Sequence, residues 1–302
     1  TPFTKDCPPM RPSVIIAAAL LLLGGFDPAR AAAGTAAPAA DELAVTRTRV
    51  GEIPVLVIAP KETRGRSLVI WLTGFSGSKD SVEPQLRDLA RRGFVALSFD
   101  PYQHGERRIE PQPELVSRVR GNIRRYFWPI LARSAEEVPP LIDWAVRELG
   151  VRKEVGIGGI SMGGDIAVAA AGVDRRIKVV SACVATPDWL RAGSFEPPGV
   201  PDAAAQADYE RRNPLTHPGA YKHRPAIAFQ SGADDRQVPP DAGERFVELL
   251  RPLYGRDTDR LQVNLQPGTP HAFTPEMWTN SLQWFETHLR ERPSAPAEER
   301  EQ

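Results

Sequence analysis

Cysteine is almost missing from this sequence: two among 302 residues, Cys7 and Cys183. So small a supply excludes a disulfide-stapled scaffold, and stability must come from a packed core. An excess of either charge is also missing, because 38 Lys and Arg face 38 Asp and Glu and the formal net charge is zero. The balance gives no electrostatic reason to expect nucleic acid or an anionic surface as partner. No apolar run reaches the ~20 residues of a membrane span. No clustered set of His, Cys and carboxylates has ligand spacing, and no phosphate loop occurs, so neither a metal nor an organic cofactor is expected.

What is present is an ordinary globular composition, 41% hydrophobic and 25% charged, in a chain long enough for one large domain with a real core. The first part is set aside before any fold reasoning. From Met10, the expected initiator, a basic residue precedes an apolar stretch from Val14 to Leu23, and Ala29-Arg30-Ala31 follows. This is the pattern of a secretory signal peptide with an A-x-A cleavage site, the alternative being an uncleaved N-terminal anchor. Cleavage after Ala31 predicts a secreted or periplasmic protein with no stable membrane anchor, and leaves Cys183 unpaired in a strand-like run as a small hydrophobe. The expected division is a leader over 1–31, a catalytic domain over 32–290 and a charged, disordered tail over 291–302.

From Leu43 strands and helices alternate. Short β-branched runs occur at Val55 to Ala59, Ser67 to Leu72, Phe94 to Phe99, Glu154 to Ile160, Ile177 to Ala185, Ala226 to Gln230 and Leu261 to Leu265. Several are continuously apolar, as suits strands covered on both faces. Between them, VEPQLRDLARRG puts Leu86, Leu89 and Ala90 on one helical face and stops at Gly93. SAEEVPPLIDWAVRELG opens with Ser134 and Glu137 at capping-box spacing, and MGGDIAVAAAG, GERFVELLRPLYG and EMWTNSLQWFETHLRE supply further helices. The alternation predicts an α/β fold: a mostly parallel central sheet with helices on both faces. A Pro-, Gly- and Asp-rich stretch near 186–224 reads as a loop-rich insertion that serves as cap or pocket wall.

The strand EVGIGGI runs straight into the helix MGGDIAVAAAG with Ser161 at the corner. So tight a turn leaves no room for side chains two residues before and two after, where Gly159 and Gly163 stand. The glycines hold an exposed hydroxyl above the sheet, and the Met162 N–H at the helix N-terminus favours negative charge. A serine hydroxyl attacks poorly until a base removes its proton. Of five histidines, His271 follows the last predicted strand and precedes the final helix, at the same edge as Ser161. Two aspartates, Asp234 and Asp235, follow the strand AIAFQ as candidates for the acid that orients it, with Asp188 a third.

These segments together resemble the α/β-hydrolase superfamily, in which nucleophile, acid and histidine follow in this chain order. TGFSGSKD, GFVALSFDPYQHGER, GISMGGD, GADDRQVPP and PHAFTPEMW resemble more narrowly its dienelactone-hydrolase-like and prolyl-oligopeptidase-like branch. The resemblance implies an α/β-hydrolase fold and a serine esterase, with no cofactor and a small-molecule or polymeric ester as its partner. It favours Asp235 over Asp234, because Gly232, Asp235 and Val238 match the branch's G-x-x-D-x-x-V. It also places the second oxyanion donor in the loop Thr73-Gly74-Phe75, so the backbone N–H groups of Phe75 and Met162 form the expected oxyanion hole. Three departures stand out. Dienelactone hydrolases proper carry a cysteine where this chain has Ser161. The 42 residues ahead of Leu43 could not hold the propeller of prolyl oligopeptidases, and Thr73 replaces the usual histidine of the donor loop.

Several side chains are expected around the substrate. His104, in DPYQHGER, could line the pocket or hydrogen-bond within its loop. Tyr126, Phe127, Trp128 and Trp189 could form acyl or alcohol walls, although aromatics more often fill cores. The expectation is ester cleavage through an acyl-enzyme by Ser161, His271 and Asp235. Peptidase or acyltransferase chemistry on the same site is the alternative, and a non-catalytic binding protein would be expected to show a broken triad.

Overall fold

The computed structural model describes residues 43–289, so the expected leader and tail lie outside the described residues. Eight strands form one sheet: β1 (Leu43–Val50), β2 (Ile53–Pro60), β3 (Leu68–Leu72), β4 (Val95–Phe99), β5 (Val155–Ile160), β6 (Ile177–Cys183), β7 (Ala226–Gly232) and β8 (Leu261–Gln266). They lie in the order β1-β2-β4-β3-β5-β6-β7-β8. The pairs β1–β2 and β2–β4 are antiparallel, and every pair from β4 to β8 is parallel. The strands β2 to β7 are almost wholly buried, as their continuous apolar sequences require.

Alternating side chains divide the core in two. Leu56, Ile58, Val69 and Trp71 face α1 (Glu83–Arg91) and α8 (Pro275–Leu289). Val55, Val57, Leu68, Ile70 and Leu72 face the other layer. That layer holds α2 (Gln112–Gly121), α3 (Ile123–Glu136), α4 (Val138–Glu148), α5 (Met162–Val173) and α7 (Asp241–Tyr254). The helix α5 sits directly behind the sheet and is buried on nearly all sides. Its Gly and Ala residues allow that close approach, and a helix apolar all round belongs in a core.

Several readings from sequence differ from the structure. The edge strand β1 was not anticipated, because its LAVTRTRV is largely exposed and polar. Arg47 pairs with Asp80 and Glu83, and Arg49 with Glu106, which blunts an open sheet edge. The Ser134–Glu137 capping box does not form. Ser134 lies inside α3, where its buried hydroxyl accepts the Tyr102 N–H (2.9 Å), and α4 starts at Val138 with Pro139 and Pro140 in its first turn. The insertion near 186–224 is loop-rich, and within it lies one helix that was not read, α6 (Ala203–Arg212), capped by the Asp202 carboxylate accepting the Ala205 N–H.

The order of strands places the site. After β3 the chain builds β4 on one side, then returns to lay β5 on the other. The carboxyl ends of β3 and β5 therefore diverge at a switch point, where open parallel sheets leave a crevice. Leu72 at the end of β3 pairs with Gly159 near the end of β5, so the loops that follow emerge side by side.

Candidate active site

At the end of β5 the backbone turns sharply into α5, and Ser161 at the corner adopts φ 52°, ψ −115°. A side chain with positive φ is strained and persists only where its surroundings impose it. The imposition is visible on both flanks. A Cβ on Gly159 would lie 2.6 Å from the Gly163 carbonyl carbon, and one on Gly163 would lie 2.6 Å from the carbonyl oxygens of Leu72 and Thr73. The Ser161 N–H is anchored to the Cys183 carbonyl (2.7 Å), which leaves its side chain facing the crevice.

The two loops after β7 and β8 start as neighbours, since Gly232 pairs with Gln266. They remain tied together, with Ala233 N–H donating to the Gln266 carbonyl and Asp234 N–H to that of Thr269. One presents Asp235 and the other His271. The Ser161 hydroxyl lies 3.1 Å from His271 Nε2, and His271 Nδ1 lies 2.7 Å from Asp235 Oδ2. With Nδ1–H held by the carboxylate, Nε2 carries the lone pair that accepts the hydroxyl proton. The Asp235 side chain is fully buried, and its Oδ1 accepts the N–H groups of Gln237 (2.9 Å) and Val238 (2.8 Å). Asp234, by contrast, is exposed. Asp188 stands elsewhere, accepting the Leu190 N–H and pairing with Arg245.

Facing the hydroxyl, Gly74 packs against Ser161, at 3.9 Å from a Cβ built on it to that of the serine. Phe75 follows at the rim of the crevice, and Met162 is the first residue of α5, so its N–H has no acceptor within the helix.

A small cleft of about 60 Å³ opens at Ser161, with apolar walls from Phe75, Val119, Ile123, Phe127 and Phe195. Its polar lining comes from Arg120, Arg191 and Gln237. Phe75 and Phe127 meet edge to face at 5.5 Å. Four residues expected around substrate lie elsewhere, the first being Tyr126, whose ring carries the guanidinium groups of Arg118 and Arg125. Trp128 is buried, stacks on Tyr209 at 4.4 Å and donates its indole N–H to the Trp189 carbonyl (2.8 Å). Trp189 is itself buried, so both belong to the packing behind the cleft. His104 is fully buried beneath Phe75, with Nδ1 on the Tyr102 carbonyl (2.9 Å) and its ring edge-on to Phe75 at 5.5 Å. Burial pushes its pKa down, so it rests there as a neutral ring.

Sequence reasoning missed Arg191 and its partner Asp165. The Asp165 carboxylate is fully buried in the first turn of α5, accepting the Thr186 N–H (2.7 Å) and pairing with the buried Arg191 guanidinium. Burial raises the Asp165 pKa to about 6, against the opposing pull of Arg191. One signal was available: a lone charge in an otherwise apolar helix needs a buried cation. Among the described residues, no group of three or more His, Cys, Asp or Glu is arranged to hold a metal.

The sequence pattern of the prolyl oligopeptidase family matches residues 141–292 of this chain. A Bacillus subtilis (strain 168) protein described as "Putative esterase YitV" is 27% identical over 255 residues, covering 80% of this chain and 97% of its own. The crystal structure of TT1662 from Thermus thermophilus superposes with a TM-score of 0.69 at 27% identity, over 83% of this chain and 99% of that one. A "Putative Dienelactone Hydrolase" from Klebsiella pneumoniae subsp. pneumoniae MGH 78578 shares the fold, with a TM-score of 0.59 at 18% identity over 81% and 98% of the chains.

Proposed function

The chain belongs to the prolyl oligopeptidase family and is a serine hydrolase, and from that premise we propose that it cleaves carboxylic esters through an acyl-enzyme. The observation that carries this reading is the continuous hydrogen-bonded path from buried Asp235 through His271 to Ser161, whose hydroxyl opens onto a small, mostly apolar cleft. Ser161 Oγ attacks the ester carbonyl while His271 Nε2 takes its proton, and Asp235 stabilises the imidazolium without itself becoming protonated. The oxyanion accepts the N–H groups of Met162 and Phe75. Each such donor is typically worth ~10²–10³ in rate. His271 then returns the proton to the departing alcohol, and water repeats the cycle on the acyl-serine.

The size of the cleft favours short acyl or alcohol groups over long chains. A second reading, hydrolysis of short peptides, is favoured by the family match, whose name is that of a peptidase. Export to the periplasm or the medium belongs to the same proposal and rests on the apolar stretch and Ala29-Arg30-Ala31. N-terminal sequencing of the exported protein would test it.

Burst kinetics on p-nitrophenyl esters of increasing acyl length, with a Ser161→Ala control, test the activity. The expected result is a stoichiometric burst whose rate falls as the acyl chain lengthens and which is absent from the variant. Equal turnover by the Ser161→Ala protein would overturn the mechanism. Turnover of short peptides but of no ester would favour the second reading.

A further inference from the structure

The charged residues that line the cleft are Arg120 and Arg191, both cations. Arg120 is exposed at the mouth, whereas the Arg191 side chain is only 4% exposed and lies on the ring of Phe127, 5.3 Å from its centroid. The backbone holds it there at φ 49°, in a short turn where Arg191 N–H donates to the Asp188 carbonyl and Ser194 N–H to that of Arg191. The guanidinium is therefore built into the wall beside the nucleophile.

Its hydrogen bonding is incomplete. One Nη is taken up by Asp165, whereas Nε is buried without a partner among the described residues. A buried donor left unpaired is costly, and a substrate oxygen arriving in the cleft would relieve that cost. The fork of a guanidinium suits a carboxylate better than a single carbonyl, and Arg120 adds a second positive charge at the entrance. Among the described residues no acidic side chain lines the cleft itself, and the carboxylate that pairs with Arg191, Asp165, lies behind its wall.

We propose that this site selects esters that carry a free carboxylate, which Arg191 binds from the cleft wall while Arg120 attracts it at the mouth. The inference rests on the serine-esterase reading for its chemistry, and names the substrate class of that site. Asp165 then acts as the positioning residue that keeps the Arg191 fork aligned.

Two matched pairs of esters test it. p-Nitrophenyl hemiglutarate against p-nitrophenyl 5-oxohexanoate puts the carboxylate or its neutral counterpart on the acyl side. 4-Acetoxybenzoate against 4-acetoxyacetophenone does so on the alcohol side. Rates are normalised to hydroxide hydrolysis, with the Ser161→Ala protein as blank. Wild type should favour the anionic member of one pair by about tenfold or more in kcat/KM, expressed chiefly in KM, as a charge-assisted hydrogen bond supplies. The doubly neutral Asp165→Asn/Arg191→Gln protein should lose that ratio, and Arg191→Lys, which keeps the charge but not the fork, should retain part of it.

A wild-type ratio near one in both pairs, or an unchanged ratio in the double variant, would overturn the inference while leaving the esterase reading in place. Should the double variant fail to fold, an undiminished ratio in Arg191→Lys would overturn the need for the fork. Should wild type turn over no ester, the esterase reading falls, and calorimetric titration with glutarate decides this inference separately. Wild-type binding that weakens in Arg191→Lys supports it, and no binding overturns it.

Discussion

Replacing Asp235 by Asn changes one atom, and the structure dictates which way that atom faces. Asp235 Oδ1 accepts two backbone N–H groups, from Gln237 and Val238, whereas Oδ2 meets His271 Nδ1. An asparagine must keep its oxygen toward the two backbone donors, because turning its NH₂ to them would leave three buried donors facing one another. Its NH₂ is thus forced onto Nδ1, and the imidazole is driven into the tautomer with its proton on Nε2. That nitrogen, 3.1 Å from the Ser161 hydroxyl, then holds a proton and cannot accept another. A wrongly protonated base of this kind costs roughly 10⁴ in kcat, or about 5.5 kcal/mol of barrier. Stability should change little, since shape and both backbone bonds survive. The assay is steady-state hydrolysis of p-nitrophenyl acetate beside thermal unfolding of the two proteins. Retention of more than a tenth of wild-type kcat, with the fold intact, would refute the assignment of Asp235 as the orienting acid.

Two further outcomes follow from the same geometry. Gly163→Ala puts a methyl group against two backbone carbonyls that cannot yield, so urea unfolding should show a loss of ~1–3 kcal/mol or more, accompanied by a fall in kcat as the Ser161 turn shifts. His104 titrates below its ordinary value because it is buried, so the unfolded chain binds its proton more readily than the folded one. Stability from keeping it neutral is present above the unfolded pKa of ~6.5 and is lost as pH falls toward the lower folded value. His104→Leu should therefore shrink the drop in unfolding midpoint between pH 7.5 and 5.5, and an undiminished drop would show that other groups carry it.

The parallel sheet was legible because its strands are buried on both faces and read as unbroken apolar runs. β1 was not, since an edge strand carrying Arg47 and Arg49 has neither continuous hydrophobicity nor clean alternation. α2 and α3 went unread because Pro113 stands in the first turn of one and Pro129 inside the other, which breaks the pattern that signals a helix. The turn at Ser161 was readable since its glycines answer a local steric demand. The walls of the cleft were not, because Val119, Ile123, Arg191 and Phe195 are brought there only by tertiary packing. Aromatic content misled in the same way: Trp128 and Trp189 fill the space behind the cleft, and smaller Phe127 reaches it.

The origin of each loop at the crevice has a consequence for how such a protein can be altered. Ser161, Asp235 and His271 follow β5, β7 and β8, whereas most of the cleft wall is carried by α2, α3 and the stretch after β6. On the proposed reading, bond-breaking and recognition would reside on separate pieces of chain. Exchanging residues 119–127 and 191–195 as two cassettes would sample new specificities on an unchanged reaction centre, and divergence within such a lineage has the same two stretches open to it.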